Sequence, residues 1–271
     1  MKIAVIGQGF VGGAYSDFWE SRGHKVIRYG LEPQFADNRD RVREAELVVV
    51  AVPTPTTPAG QDVGAVQAAV RLAAPGSVVI VKSTVLPGTT DRLQREWGPR
   101  RLLHVPEFLR ARHALDDIRS AHRTVIGVPD ESPDGIDEAV KDAQALFPAK
   151  ALFKTSARTA EFIKYAANIM LIAKLVTANA LFDAVPAGSE WATVARALEV
   201  DPRIGPWGLQ PAANGKRGAG GGCFVKDLAA FMDWTDSGFL SQLEGENRRL
   251  LGKTGKDLDL LAAIYGQAEA A

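Results

Sequence analysis

One cysteine, Cys223, in 271 residues excludes any disulfide within the chain. Charge of either sign is in no surplus: 32 Lys and Arg balance 32 Asp and Glu. Without a basic excess there is no long-range attraction for nucleic acid or an anionic membrane, and neither is expected as a partner. The longest apolar stretch, residues 165–182, is interrupted by Asn168, Lys174 and Asn179, which argues against a membrane span. Met1-Lys2-Ile3-Ala4-Val5-Ile6 runs straight into a strand pattern and leaves no room for a signal peptide, so a soluble, cytoplasmic protein is expected. Aromatics are few (7%) against 46% hydrophobic residues, so the core is aliphatic and large enough for one big domain or two modest ones. No metal is expected.

Short runs rich in Val and Ile fill the first half: Lys2–Ile6, Lys25–Tyr29, Leu47–Val52, Val78–Val81, Leu102–Val105 and Thr124–Val128. They read as buried strands alternating with helices, Thr89–Trp97 being the clearest and residues 37–44 the weakest. Such alternation predicts a parallel sheet with right-handed crossovers. Residues 158–185 contain neither Gly nor Pro and predict one long helix, apolar around most of its circumference, to be buried in a core or a dimer interface. Helices are expected near 189–199, 226–235 and 238–251, with a Gly/Pro-rich loop from Pro202 to Gly222, and the Ala/Glu-rich end is expected to fray. The expected division is an α/β domain over 1–156 followed by an all-helical domain over 157–271.

Gly7-Gln8-Gly9-Phe10-Val11-Gly12 follows the first strand and opens a helix. Glycines at this spacing permit a tight turn and let a pyrophosphate approach the backbone at a helix N-terminus, where unpaired N–H groups and the dipole favour an anion. In a βαβ frame this is the fingerprint of a Rossmann, doubly wound dinucleotide-binding sheet, with Gly7, Gly9, Phe10, Val11 and Gly12 at the cofactor. The acid that holds the adenosine ribose should end the second strand, but Gly30 stands there. Glu32 is two residues on and suits NAD; Arg28 or Arg39 would suit the 2′-phosphate of NADP. NAD is the expected cofactor, with NADP left open.

Four glycines within Gly218-Ala219-Gly220-Gly221-Gly222 precede Cys223-Phe224-Val225-Lys226-Asp227. The loop can wrap closely around a ligand through Gly218 and Gly220. A helix N-terminus beside Lys226 favours the thiolate of Cys223 and makes it a candidate nucleophile. The competing reading is a packed, inert cysteine.

Cys223-Phe224-Val225-Lys226-Asp227 resembles the Cys-Phe-Pro-Lys-Asp segment of the UDP-glucose/GDP-mannose 6-dehydrogenases. Matching strings follow the family's order: Val52-Pro53-Thr54-Pro55-Thr56, the run from Lys82-Ser83-Thr84 to Thr90, Pro106-Glu107-Phe108-Leu109-Arg110, Arg123-Thr124-Val125-Ile126-Gly127, and the run from Ala160-Glu161 through Lys164 to Asn168. The resemblance implies a four-electron oxidation of a primary alcohol on a nucleotide sugar or related nucleotide. Two hydride transfers would pass through a thiohemiacetal and a thioester on Cys223. It implies that Lys164 and Asn168, four apart and so on one helix face, hold the substrate oxygen and stabilise an oxyanion. Thr84 and Asp227 would position water, Glu107 would assist proton transfer, and Glu107, Phe108 and Leu109 would meet substrate. Lys226 would lie near the nicotinamide, with Thr54 and Thr84 along the cofactor. A homodimer through helix 158–185 is expected.

Members of the family typically carry a third, carboxy-terminal domain that binds the nucleotide half of the substrate; the chain is expected to stop before it, and its segment after the second strand is shorter than is usual. Val225 replaces Pro, Ala219 replaces an aromatic residue, Ala111 replaces a second glutamate, and Ala180 follows Asn179 where an acid is usual. Two other readings stay open. One is a two-electron dehydrogenase of the 3-hydroxyacid or 6-phosphogluconate type, which needs no cysteine. The other is a non-catalytic nucleotide-binding protein.

Overall fold

The computed structural model describes residues 1–212 and 215–266. Its contacts divide the chain into two compact units, Met1–Pro55 with Gln61–Lys164, and Thr56–Gly60 with Tyr165–Ala271.

In chain order the first unit carries β1 (Lys2–Ile6), α1 (Phe10–Glu20), β2 (Lys25–Tyr29), α2 (Pro33–Ala36) and β3 (Leu47–Val50). After β4 (Thr56–Thr57), which belongs to the second unit, and β5 (Gly60–Gln61) come α3 (Gly64–Leu72), β6 (Val78–Val81), α4 (Thr89–Trp97) and β7 (Arg101–His104). α5 (Ala114–Arg119), β8 (Arg123–Val128), α6 (Ile136–Leu146) and β9 (Ala151–Ser156) complete it. Seven strands form one sheet in the order β2-β1-β3-β6-β7-β8-β9.

Successive side chains of a strand face opposite ways, so each strand feeds two cores. Ile3 and Val5 of β1, Leu47 and Val49 of β3 and Ile80 of β6 pack with Tyr15, Phe18 and Trp19 of α1 and with α6. Ala4, Ile6, Val48, Val50, Val79 and Val81 pack on the other face with Val66, Ala69 and Val70 of α3 and Leu93 of α4. Burial on both faces explains why these strands read as continuous apolar runs, each fully buried Val, Leu or Ile contributing ~1.5–3 kcal/mol.

The second unit takes the carboxy-terminal part of α7 (Ala157–Asp183), then α8 (Trp191–Glu199), α9 (Gly222–Trp234), α10 (Gly238–Lys253) and α11 (Leu258–Tyr265). Val225 and Ala229 pack on Leu251, Leu261 and Ile264, and the ring of Tyr165 stacks on Phe231 with centroids 5.3 Å apart. By length and a mean hydropathy of 1.4, α7 would suit a membrane span. Its buried polar groups, however, find partners within the protein, Lys164 on Glu107 and Asn179 on Arg217.

Several expectations need correction. The sheet is parallel from β2 to β7, but β8 runs antiparallel to β7, and β9 runs parallel to β8. β9 was not anticipated: it is an edge strand with Leu152, Phe153 and Lys154 exposed, so it lacks the buried pattern that marks its neighbours. Residues 37–44 form no α-helix; the short α2 and a 3-10 turn over Asp40–Glu44 replace it. α9 begins at Gly222, four residues before the expected start, because the glycines adopt the cap geometry themselves. α11 was also unforeseen, and the expected fraying falls on residues 267–271, outside the described residues.

Candidate active site

Gly7 has φ +91°, and a Cβ there would overlap the carbonyl oxygen of Ala51; a Cβ at Gly12 would overlap that of Gly7. Both positions therefore demand glycine. Gly9 is different: nothing lies within 4 Å of a Cβ built on it, and as N-cap of α1 it supplies no side-chain cap. The first N–H groups of an 11-residue helix thus face an open side, with Phe10 exposed and Val11 half-buried next to it. This cradle fits a dinucleotide pyrophosphate.

At the end of β2, a Cβ on Gly30 would overlap Oε2 of Glu32 and stand 3.5 Å from Cγ of Gln8. The Glu32 carboxylate therefore folds back into the space that a strand-end side chain would fill, beside the glycine turn. Arg28 is engaged elsewhere, its guanidinium 2.6 Å from Asp17 and hydrogen-bonded to Glu20, which raises its pKa. Arg39 is exposed and 3.6 Å from Asp40. The ribose end thus offers an acid in place of an uncommitted arginine, which suits NAD.

Beyond β3 and β6 the two loops are tied together. Ser83 Oγ accepts from Val52 N (3.0 Å) and donates to Val52 O (2.8 Å). The Thr84 carbonyl accepts from Thr54 Oγ1 at 2.7 Å and Gln61 Nε2 at 3.1 Å, leaving the Thr84 side chain half-buried.

Lys164 Nζ lies 2.8 Å from Glu107 Oε1, with side-chain exposures of 5% and 7%. Leu109 N donates to the other carboxylate oxygen at 2.7 Å. Burial pushes the Glu107 pKa up, but the Lys164 charge and hydrogen bond, the Leu109 N–H and Lys82 outweigh it, and the carboxyl titrates below its usual range. The Phe108 ring lies under both Arg123 (4.0 Å) and Lys164 (5.7 Å).

Lys82 and His104 are the site-region residues to which the sequence assigned no role. Lys82 Nζ donates to Val105 O at 3.1 Å and sits between the rings of Tyr15 (4.5 Å) and Phe147 (4.4 Å). Burial pulls its pKa down to about 7, against the opposing pull of Glu107. His104 is fully buried, and neither ring nitrogen has a hydrogen-bond partner among the described residues. Burial, then Lys82, lowers its pKa to about 3, so it is a neutral imidazole. The only sequence signal for either was the place of Lys82 in the Lys-Ser-Thr string.

In the second unit Cys223 is the second residue of α9, half-buried, behind the N-cap Gly221 at φ +87°. Asp227, one turn further along the same face, is 1% exposed. Its carboxylate accepts from Asn168 Nδ2 at 2.7 Å and is paired with Lys226 Nζ. The Lys226 carbonyl accepts from Thr56 Oγ1 at 2.8 Å. The missing side chains of Gly218 and Gly220 make room for the protein's own groups: a Cβ on Gly218 would lie 3.1 Å from Asn247 Oδ1, and one on Gly220 would overlap Asp257 and Lys256. Lys164 and Asn168 occupy successive turns of α7.

Residues 34–143 match the NAD binding domain of the UDP-glucose/GDP-mannose dehydrogenase family, and residues 158–242 match that family's central domain. The UDP-glucose 6-dehydrogenase of Rhizobium meliloti (strain 1021) is 31% identical over 283 residues, a match covering 86% of this chain and 63% of that protein. That of Gallus gallus is 31% identical over 282 residues, covering 84% of this chain and 56% of the relative. The chain thus spans less than two thirds of the length of these curated relatives. Among solved structures, a UDP-glucose dehydrogenase from Pyrobaculum islandicum superposes with a TM-score of 0.78 at 26% identity, covering 96% of this chain and 70% of that one. A 3-hydroxyisobutyrate dehydrogenase from Mycobacterium tuberculosis shares the fold, with a TM-score of 0.69 at 18% identity over 93% of this chain and 94% of that one. On two domain matches in chain order and the motifs that carry them, this chain belongs to the UDP-glucose/GDP-mannose dehydrogenase family.

Proposed function

We propose that the protein oxidises a primary alcohol of a nucleotide sugar, or a related nucleotide, to a carboxylate through a covalent Cys223 intermediate. The observation that carries the proposal is the buried Asp227 carboxylate, held by Asn168 and Lys226, one helical turn from the chain's only cysteine at the start of α9. An inert cysteine needs no such neighbour.

NAD is held by the glycine turn Gly7–Gly12 and by Glu32, with Thr54, Thr84 and Lys226 along it, and it supplies the hydride acceptor when bound. Lys164 and Asn168 hold the substrate oxygen and stabilise negative charge on it. The alcohol gives up a hydride and a proton to become the aldehyde, whose carbon then receives the Cys223 thiolate. Loss of a second hydride from that adduct leaves a thioester on Cys223. Thr84 and Asp227 orient the water that attacks the thioester, Glu107 serves the proton, and the thiol is released with the carboxylate. Glu107, Phe108, Leu109, Gly218 and Gly220 contact substrate.

A homodimer through α7 belongs to the same proposal. Phe162, Met170 and Leu181, exposed by 45%, 72% and 49%, recur along one side of that helix and favour a second apolar surface. A cytoplasmic location, with neither nucleic acid nor membrane as partner, fits the zero net charge and the single thiol.

The test is stoichiometry with UDP-glucose and related nucleotide sugars: two reduced cofactors per alcohol consumed. One per alcohol, with full activity in Cys223→Ala, would instead favour the two-electron dehydrogenase. Tight NAD binding without turnover on any of them would favour a non-catalytic role.

A further inference from the structure

The loop before Cys223 holds three consecutive glycines, Gly220 to Gly222, and should be among the most mobile parts of the chain. Side chains from three directions hold its peptide groups instead. Arg217 N donates to Thr254 Oγ1 at 3.1 Å, and Gly218 N to Asn179 Oδ1 at 3.4 Å. Lys256 Nζ donates to Gly218 O at 3.1 Å. Asn247, 3% exposed on α10, takes both polar groups of one residue: its Oδ1 accepts from Ala219 N (2.7 Å) and its Nδ2 donates to Ala219 O (3.0 Å). It thus pairs with the loop as a neighbouring strand would. Finally, Gly221 N donates to Asp257 Oδ2 at 2.7 Å.

Two features single out Asp257. Among the described residues it alone combines a side chain with positive φ (57°), a left-handed conformation that costs energy in a non-glycine residue. It also reaches the N-cap of α9, which as glycine has no side chain to organise its own helix start. Gly220 is the counterpart, since any side chain there would overlap the Asp257 carboxylate and the Lys256 tail. The strained turn and the bare glycine therefore fit each other, and the anchor lies two residues before Cys223.

We propose that Asp257 is a positioning residue: by holding the Gly221 N–H it seats the first turn of α9 and with it Cys223. This rests on the reading of Cys223 as the reacting group. Asp257 touches neither substrate nor cofactor in this role and acts only through the loop.

Cys223 being the only cysteine, alkylation of the whole chain by iodoacetamide reports on it alone. The decisive comparison is Asp257→Gly against Asp257→Asn. Both are uncharged and both tolerate the left-handed conformation, but only Asn retains an acceptor for Gly221. In Asp257→Gly the first turn loosens, and the helix-start N–H groups no longer favour the thiolate. The midpoint of its alkylation pH profile should lie about half a pH unit above that of Asp257→Asn. Its rate at neutral pH should be about threefold lower, with the thermal midpoint of the chain little changed, since glycine relieves the strain. If substrate turnover is established, kcat should fall in Asp257→Gly and recover in Asp257→Asn. Identical alkylation profiles for the two variants would overturn the proposal. Full activity in Cys223→Ala would defeat the nucleophile reading while leaving this comparison to report on the loop, so the two failures are separable.

Discussion

Lys164 Nζ stands 2.8 Å from Oε1 of Glu107, with both side chains withdrawn from water. Ions so placed depend on each other, because removing one leaves the other buried without compensation. Lys164→Met and Glu107→Gln are each expected to destabilise the protein by ~3–5 kcal/mol. The double variant should lose clearly less than the sum. Denaturant unfolding of all four proteins gives the coupling, and additive losses would show that the pair is not a unit.

Cys223→Ala should abolish net production of carboxylate and leave NAD binding intact. Cys223→Ser should also fail to complete the second oxidation, since a serine hydroxyl, un-ionised at neutral pH, is a far poorer nucleophile than a thiolate. Reduced-nicotinamide absorbance and mass spectrometry of the intact chain after mixing with substrate check this. An acyl adduct on the parent at Cys223, absent from both variants, is the expected result.

Glu32 should govern cofactor choice. If Glu32 holds the ribose as proposed, Glu32→Ala should weaken NAD roughly tenfold or more, with NADP gaining relative to NAD. Gly30→Ala should act in the same direction without unfolding the protein, because the new methyl displaces only the flexible end of Glu32. Calorimetric titration with both cofactors measures this, and unchanged NAD affinity in both variants would remove Glu32 from the site.

Lys82 carries a pH signature. Burial holds its pKa at about 7 in the folded protein, against its ordinary value of 10.5 in an unfolded chain. Between those values the unfolded state binds more protons, so this group makes stability rise with pH, by as much as ~1.4 kcal/mol per pH unit within the window. Below about 7 both states are protonated, and the cost of burying the ammonium is fully present. Lys82→Met should remove that slope, which unfolding at a series of pH values from 6 to above 9 would reveal as a difference from the parent.

Met170, 72% exposed on α7, contributes little to the fold of one chain and would lie in the interface of the proposed dimer. Met170→Glu should leave the thermal midpoint of the isolated chain nearly unchanged and shift the protein from dimer to monomer at micromolar concentration. Sedimentation velocity distinguishes the two, and a dimer that survives the substitution would place the interface elsewhere.

Local pattern made much of this architecture legible. β1, β3, β6, β7 and β8 are buried along most of their length, so their Val-, Ile- and Leu-rich runs announce them before any contact is known, whereas the two-residue strands β4 and β5 carry no such run and were not expected. β9 did not show itself, since an edge strand with exposed Leu152 and Phe153 has no pattern beyond its pairing with β8. Its parallel pairing, and the reversal between β7 and β8, are decided by partners distant in the chain.

The residues of the candidate site divide in the same way. Gly7 and Gly12, the helical spacing of Lys164 and Asn168, and Cys223 after its glycines could be found from spacing, because their chemistry depends on backbone conformation or on neighbours within a turn. The return of Glu32 into the gap at Gly30 could only be raised as an option, since it depends on a side-chain torsion and on Gln8 from another loop. Lys82 between Tyr15 and Phe147, and the hold of Asn247 and Asp257 on the glycine loop, were invisible: in sequence they are an ordinary lysine and ordinary helix-surface polar residues. Sequence by itself thus determined most of the elements and named the candidate groups, whose signals are periodic and local. Only tertiary structure decided which buried charges face one another and what holds the glycines still, because those outcomes come from desolvation and hydrogen bonding between segments far apart along the chain.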